Sequence, residues 1–128
     1  MRTLLLENDT VKIEIEDGIA LLCWKISFVN LKEAQQVVEY RLECTNCVPY
    51  PLLIDIRTLK HATKEARDFL ASEKGCESAI AGALLVDSIL GRMMGNFFIY
   101  FSKPLRPTML FTNEAEAKKW LTRYVSIN

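Results

Sequence analysis

The sequence lacks most of the features that would announce a function. It has a single histidine, His61, so no histidine cluster is at hand for a metal site. It carries no net charge, because sixteen basic residues balance sixteen acidic ones. A duplex nucleic-acid binder needs a basic face that displaces counterions, and this balance argues against that class, so no nucleic-acid partner is expected. No apolar run approaches the roughly 20 residues of a membrane-spanning helix. The run Leu4–Leu6 is also too short for the core of a signal peptide. There are no internal repeats, low-complexity tracts or linkers. The expectation is a soluble, cytoplasmic protein whose four cysteines are reduced thiols.

What is present is one domain's worth of chain. Of the 128 residues, 50% are hydrophobic and 25% charged, which suits a globular fold with a real core. Residues 51–71 organise it. Leu52–Ile56 is a short apolar run behind Pro51 and reads as a buried strand. From Ala62 the period changes: Ala62, Ala66, Phe69 and Leu70 make one stripe of a helix, with Thr63 as its cap and Gly75 as its stop. In an open α/β sheet the loop between such a strand and helix is where ligands and partners dock.

The remaining elements follow from the same signals. Val11, Ile13 and Ile15 alternate with charged residues, predicting a half-exposed strand near a sheet edge. Asp17-Gly18 predicts a type I′ turn into Ile19–Trp24, which is apolar on both faces and reads as an interior strand. Asn30-Leu31-Lys32-Glu33 is a capping box opening a helix whose stripe is Leu31, Ala34, Val38 and Leu42, widened by Val37. A strand is predicted from near Ala81 to Val86. Asp87-Ser88 then caps a third helix that carries Leu90, Met93, Met94, Phe97, Phe98 and Phe101 on one side and ends at Pro104. Pro107–Thr112 reads as the last strand. Asn113-Glu114-Ala115-Glu116 is a second capping box, before a closing helix with the stripe Ala117, Trp120, Leu121, Tyr124 and Val125. The order is β-β-α-β-α-β-α-β-α. The fold class is α/β, a mixed and mostly parallel sheet with helices packed on it.

This order resembles the STAS domains, found in sulfate transporters and anti-anti-sigma factors, and their SpoIIAA-like relatives, whose fold is compared with that of the lipid-binding CRAL-TRIO proteins. More narrowly it is similar to short bacterial proteins, common in the Bacteroidetes, that consist of this domain alone. The residues that carry the resemblance are Asp55-Ile56-Arg57, residues 63–68, Ala83–Ser88, Gly95–Phe98 and Pro107–Thr112. It implies a single SpoIIAA-like domain over residues 1–128. In anti-anti-sigma factors an Asp-Ser-Ser-Gly motif opens the second helix, and its first serine is phosphorylated. With Asp55 on the strand aspartate, those four positions fall on Thr63, Lys64, Glu65 and Ala66. Lys64 cannot accept a phosphate, so the resemblance implies a module without that switch. A lysine at a helix N-terminus opposes the dipole and calls for a neighbour such as Glu65 or Asp68, or else for an anion.

Four further features bear on chemistry. Cys44 and Cys47 have the CxxC spacing but follow a helix instead of preceding one, so the dipole that lowers a redox thiol's pKa is missing. A zinc site there would need two more ligands from Cys23, Cys76 and His61. No metal or cofactor is expected. His61, in the loop after the central strand, has the pKa range of an acid–base residue but no nucleophile that can be placed beside it. Asp55, Arg57, Arg67 and Asp68 read as solvated ion pairs unless buried.

The fourth feature is residues 89–105, where Met93, Met94, Phe97, Phe98, Tyr100 and Phe101 exceed one core-facing stripe and Gly91 and Gly95 weaken the helix. Three readings compete for them. They are a wide core stripe, a subunit interface, or a lid over an apolar pocket or membrane surface with Arg92, Lys103 and Arg106 near headgroups.

The functional expectation is a non-enzymatic protein-interaction module. Partner contacts would come from Arg57, His61, Thr63, Lys64, Met93, Met94, Phe97 and Phe98, and self-association as a homodimer is expected. The alternative is an apolar small-molecule or lipid carrier with its pocket under residues 89–101, lined by Met94, Phe97, Phe98 and Phe101. A catalytic site at the His61 loop comes last, and no catalytic residue is assigned.

Overall fold

A computed structural model describes residues 1–125. The chain opens with β1 (Thr3–Glu7), which pairs antiparallel with β2 (Val11–Glu16) through a register irregularity between Leu4 and Leu6. Three successive leucines give no period-2 signal, so this strand was not legible as one. Its presence moves β2 from the predicted sheet edge to the interior. The alternation in β2 reports one open face, where Lys12, Glu14 and Glu16 meet partly solvated charges, and not an edge.

Asp17 (φ 52°) and Gly18 (φ 79°) make the tight turn into β3 (Ile19–Trp24). Both central residues sit at positive φ, as a type I′ turn demands. β4 (Phe28–Val29) is a two-residue strand leading to the helix α1 (Leu31–Cys44), whose capping box at Asn30 and Glu33 is complete. The central strand β5 (Tyr50–Asp55) begins earlier than predicted and takes in buried Pro51, where the ladder to its neighbour slips. Proline has no N–H to give to a ladder, and the slip accommodates it. β6 (His61–Ala62) pairs in parallel with β4 as a separate small sheet, too short to predict from pattern.

Helix α2 (Lys64–Ala71) starts at Thr63, whose hydroxyl accepts from the Ala66 amide. It ends at Ser72, before the predicted stop at Gly75, because the Ser72 amide and hydroxyl both donate to the Phe69 carbonyl. β7 (Ala79–Leu85) begins two residues before the predicted Ala81. Ser88 caps α3 (Ile89–Phe97), accepting from the Gly91 amide. The predicted run to Pro104 is not one α-helix: Phe98–Ser102 is a π-helical turn, and Lys103 swings to φ 54° ahead of the proline. β8 (Thr108–Phe111) and α4 (Glu114–Thr122) complete the chain. Tyr124 and Val125, predicted on the closing helix, lie just past its end but still pack with it.

The main sheet has six strands in the order β1-β2-β3-β5-β7-β8. The first two pairings are antiparallel and the last three parallel. β5 therefore lies at its centre, as the apolar run predicts. Alternate residues of each strand build two cores. Leu21, Leu53, Ala83 and Leu85 pack against Ala117 and Leu121 of α4 on one face. Leu22, Leu52 and Leu84 lie on the other face, with Val37 of α1, Ala66 of α2 and Phe98 of the π-turn.

Candidate functional site: a cavity beneath the third helix

The three-helix face is not filled. A partly open cavity of ≈ 460 Å³ lies between the sheet and α1, α2 and α3. That volume falls within the roughly 300–1,000 Å³ typical of small-molecule sites. Its wall is dominated by apolar side chains, among them Trp24, Leu52, Ile54, Leu84, Met94 and Phe98. Gly82 in β7 contributes no side chain to it: a Cβ there would be in ordinary contact with Ile54 and Thr108.

The way α3 sits explains the space. The helix reaches the sheet through its glycines. A Cβ on Gly95 would stand 2.4 Å from a Leu110 methyl, and one on Gly91 would stand 3.1 Å from Val86. The large apolar residues consequently point elsewhere. Met94 and Phe98 are half-buried on the cavity side, while Met93 is 64% exposed, Tyr100 69% and Phe101 72%. The reading of this segment as a wide core stripe is therefore corrected: its core-facing residues are the two glycines, helped by Met94 and Phe98.

The polar part of the wall is one-sided. Arg41, Lys60, Arg67 and Arg106 line the cavity together with His61, and among the described residues no Asp or Glu does. Arg41 is 3% exposed and uses its guanidinium on the Glu77 and Gly75 carbonyls, at 2.8 and 3.3 Å. Burial lowers its pKa, but an arginine starts so high that it stays charged at neutral pH. Arg106 Nε donates to the Ala79 carbonyl at 2.8 Å. Both of these arginines staple the backbone that leads into β7. Arg67 differs. Its Nη1 donates to the Ala62 carbonyl at 2.5 Å and its guanidinium lies 4.9 Å from the Phe97 ring centre, but its Nε is buried with no partner. Among the described residues it forms no ion pair, so the prediction of a solvated pair for Arg67 does not hold.

The predicted partner residues divide. Arg57 is held by Asp55 in a two-pronged pair, with Nε to Oδ1 at 3.0 Å and Nη2 to Oδ2 at 2.7 Å. Burial pushes the Asp55 carboxyl up, but the Arg57 hydrogen bonds outweigh it and hold the pKa below the usual range. Lys64 is held by Asp68 at 2.7 Å, one of the two carboxylates its position called for. Thr63 is used as a cap. These three lie outside the cavity wall, whereas His61, Met93, Met94, Phe97 and Phe98 are brought to it. His61 is exposed and stacks on Phe28 at 5.3 Å. Phe101 lies outside the wall, stacked on Phe97 at 4.7 Å. Sequence reasoning missed Arg41, Lys60 and Gly82, and named Arg67 and Arg106 without placing them on one cavity wall. Two of them left a signal: Arg41 extends the apolar stripe Ala34-Val37-Val38, and Gly82 interrupts an apolar strand.

The thiols are set apart from this site, except Cys76 on its wall. Cys44 is half-buried with its pKa pushed up by burial, and Cys47 is exposed.

Comparison with known proteins adds the following. A family described as "Domain of unknown function (DUF7793)" matches residues 13–125. A solved structure of an uncharacterised protein of the DUF3478 family from Shewanella loihica PV-4, described as having a SpoIIAA-like fold, superposes with a TM-score of 0.64 at 16% identity, over 88% of this chain and 92% of that one. No curated protein matches. No helix among the described residues is long and apolar enough to cross a membrane. The chain belongs to the DUF7793 family, and its fold is SpoIIAA-like.

Proposed function

We propose that this chain is a non-catalytic binding domain that holds an apolar small molecule beneath residues 89–101. The observation that carries the reading is the ≈ 460 Å³ cavity itself. Protein interiors close to the density of organic crystals and leave few voids larger than a water molecule. The other face of this same sheet is packed by one helix with buried Ala117 and Leu121. An apolar space of this size, beside a helix that touches the sheet through glycines, fits a site more readily than a packing fault. Native mass spectrometry of protein isolated gently from its own cells tests the proposal. A bound mass that is released on unfolding supports it. A bare protein whose melting temperature no apolar compound raises overturns it.

A second reading concerns the outside of the same segment. Ile89 (80% exposed), Tyr100 and Phe101 are exposed apolar side chains of this segment, with Met93 exposed at the cavity rim and Arg92 and Lys103 exposed among them. Patches of such residues mark contact surfaces. The occupant we propose is a second copy of the chain, forming a homodimer. Light scattering across a concentration series, with Phe101→Glu as the control, decides it. A strict monomer at every concentration removes this reading and leaves the cavity untouched.

A further inference from the structure

The charge on the cavity wall narrows the class of ligand. We infer that the occupant is an anionic amphiphile, an apolar body ending in one acidic group, and that Arg67 receives the acidic group. This inference rests on the reading of the cavity as a ligand site. Four side-chain cations and no carboxylate line the space among the described residues, although the chain as a whole is neutral. Clustering of one sign around a low-dielectric space raises the local concentration of the opposite sign.

The cations are not equivalent. They stand at two ends of the cavity. Arg41 and Arg106 lie where the chain enters β7; Arg41 spends both terminal nitrogens on carbonyls there, and the exposed Arg106 is tied to the Ala79 carbonyl through its Nε. Lys60 and Arg67 lie at the other end, past the carboxyl end of β5, with the His61 ring on the same part of the wall. Arg67 reaches them through the Ala62 carbonyl. Its buried Nε is the one buried side-chain nitrogen or oxygen without a partner among the described residues. Leaving such a donor unpaired is costly, and although the Nε itself is occluded, a small turn of the guanidinium toward the cavity would let an incoming carboxylate or phosphate oxygen satisfy it in a charge-assisted bond. The carboxyl ends of parallel strands are also where an open α/β sheet offers its ligand crevice. The acidic group therefore belongs at the Lys60–Arg67 end, beside Trp24 at the carboxyl end of β3, with the apolar body running over Leu84 and Gly82 toward the Arg41–Arg106 end.

Calorimetry on the full chain with dodecanoate, dodecanol and acetate tests this. Trp24 fluorescence serves as a second readout, since that indole is 4% exposed and lines the cavity. Dodecanoate is expected to bind at least about tenfold tighter than dodecanol, the worth of a single charge-assisted hydrogen bond. Acetate, with no apolar body, should not bind measurably. Arg67→Met should erase the preference for the acid while leaving dodecanol binding within about twofold, and Arg67→Lys should keep part of it. Because Arg67 also holds the Ala62 carbonyl, Lys60→Gln is the companion variant: exposed and free of that duty, it should reduce the acid preference by a smaller factor. Equal binding of acid and alcohol overturns the inference while leaving the cavity as a site. Binding of neither overturns the cavity reading as well. A preference for the acid that survives both Arg67→Met and Lys60→Gln overturns the placement of the acidic group.

Discussion

On one face of the sheet, α4 lays Ala117 and Leu121 over Ala83 and Leu85, all buried. On the other, Gly82 and Leu84 of the same strand, though buried, form part of the cavity wall. The strands and their register are common to both faces, so the sheet itself cannot be what separates them. The difference lies in the residues at alternate positions and in how each helix touches down. Helix α4 arrives through a leucine and closes its side. Helix α3 arrives through Gly91 and Gly95, turns its bulk outward, and leaves its side partly unfilled. Specificity for a ligand can therefore be built on one face of a sheet while the other supplies stability.

If that division is right, substitutions on the two faces should behave in opposite ways. The largest effect is expected from Leu121→Ala, which empties a fully buried site under α4 and should cost about 2–5 kcal/mol in urea unfolding. A loss below about 1 kcal/mol would mean that α4 does not hold the sheet. The neighbouring pair Ala83→Leu and Gly82→Leu is the sharpest contrast. The first overpacks the filled face and should cost about 1–3 kcal/mol. The second puts a side chain into the cavity and removes a strand glycine, so stability should hold or rise by up to about 1 kcal/mol. Equal destabilisation by the two would erase the distinction between the faces. Thr63→Ala removes the cap of α2, a wall of the cavity, and should cost about 1 kcal/mol.

The smallest effect belongs to the Asp55–Arg57 pair on the α4 side of β5. It is partly solvated, so its worth is below about 1 kcal/mol. Its carboxyl pKa is lowered in the fold. The contribution is therefore present above the ordinary carboxylate value and lost as pH falls through the folded one, below about pH 4. Asp55→Asn should flatten the acid limb of the stability curve by that amount. An unchanged acid limb would show that the pair contributes nothing.

Much of this could be read from residues. Leu52–Ile56 gives the central strand because it is apolar on both faces. Asn30, Thr63, Ser88 and Asn113 give four helix starts because a side-chain oxygen there meets free amides. β1 escaped because Leu4-Leu5-Leu6 has no period, and β4 and β6 because two residues carry no pattern. A pocket under residues 89–101 is one of three readings that the excess of Met and Phe allows, and the alternative to the protein-interaction expectation. Its charge is not legible, since Arg41, the Lys60–Arg67 segment and Arg106 are far apart in sequence and nothing local marks a cation as inward-facing. The outward turn of α3 escaped for a related reason. Glycines score as helix weakness in a sequence, whereas in the fold they are the contact face.

The most direct test of the central claim is titration of the wild-type chain, Gly82→Leu and Ala83→Leu with one apolar ligand, followed by Trp24 fluorescence against a Trp120→Phe background. The two substitutions sit side by side on opposite faces of β7. The account predicts saturable binding at one site in the wild type, retained by Ala83→Leu under conditions where it is folded, and abolished by Gly82→Leu. Binding by Gly82→Leu with wild-type affinity would contradict it.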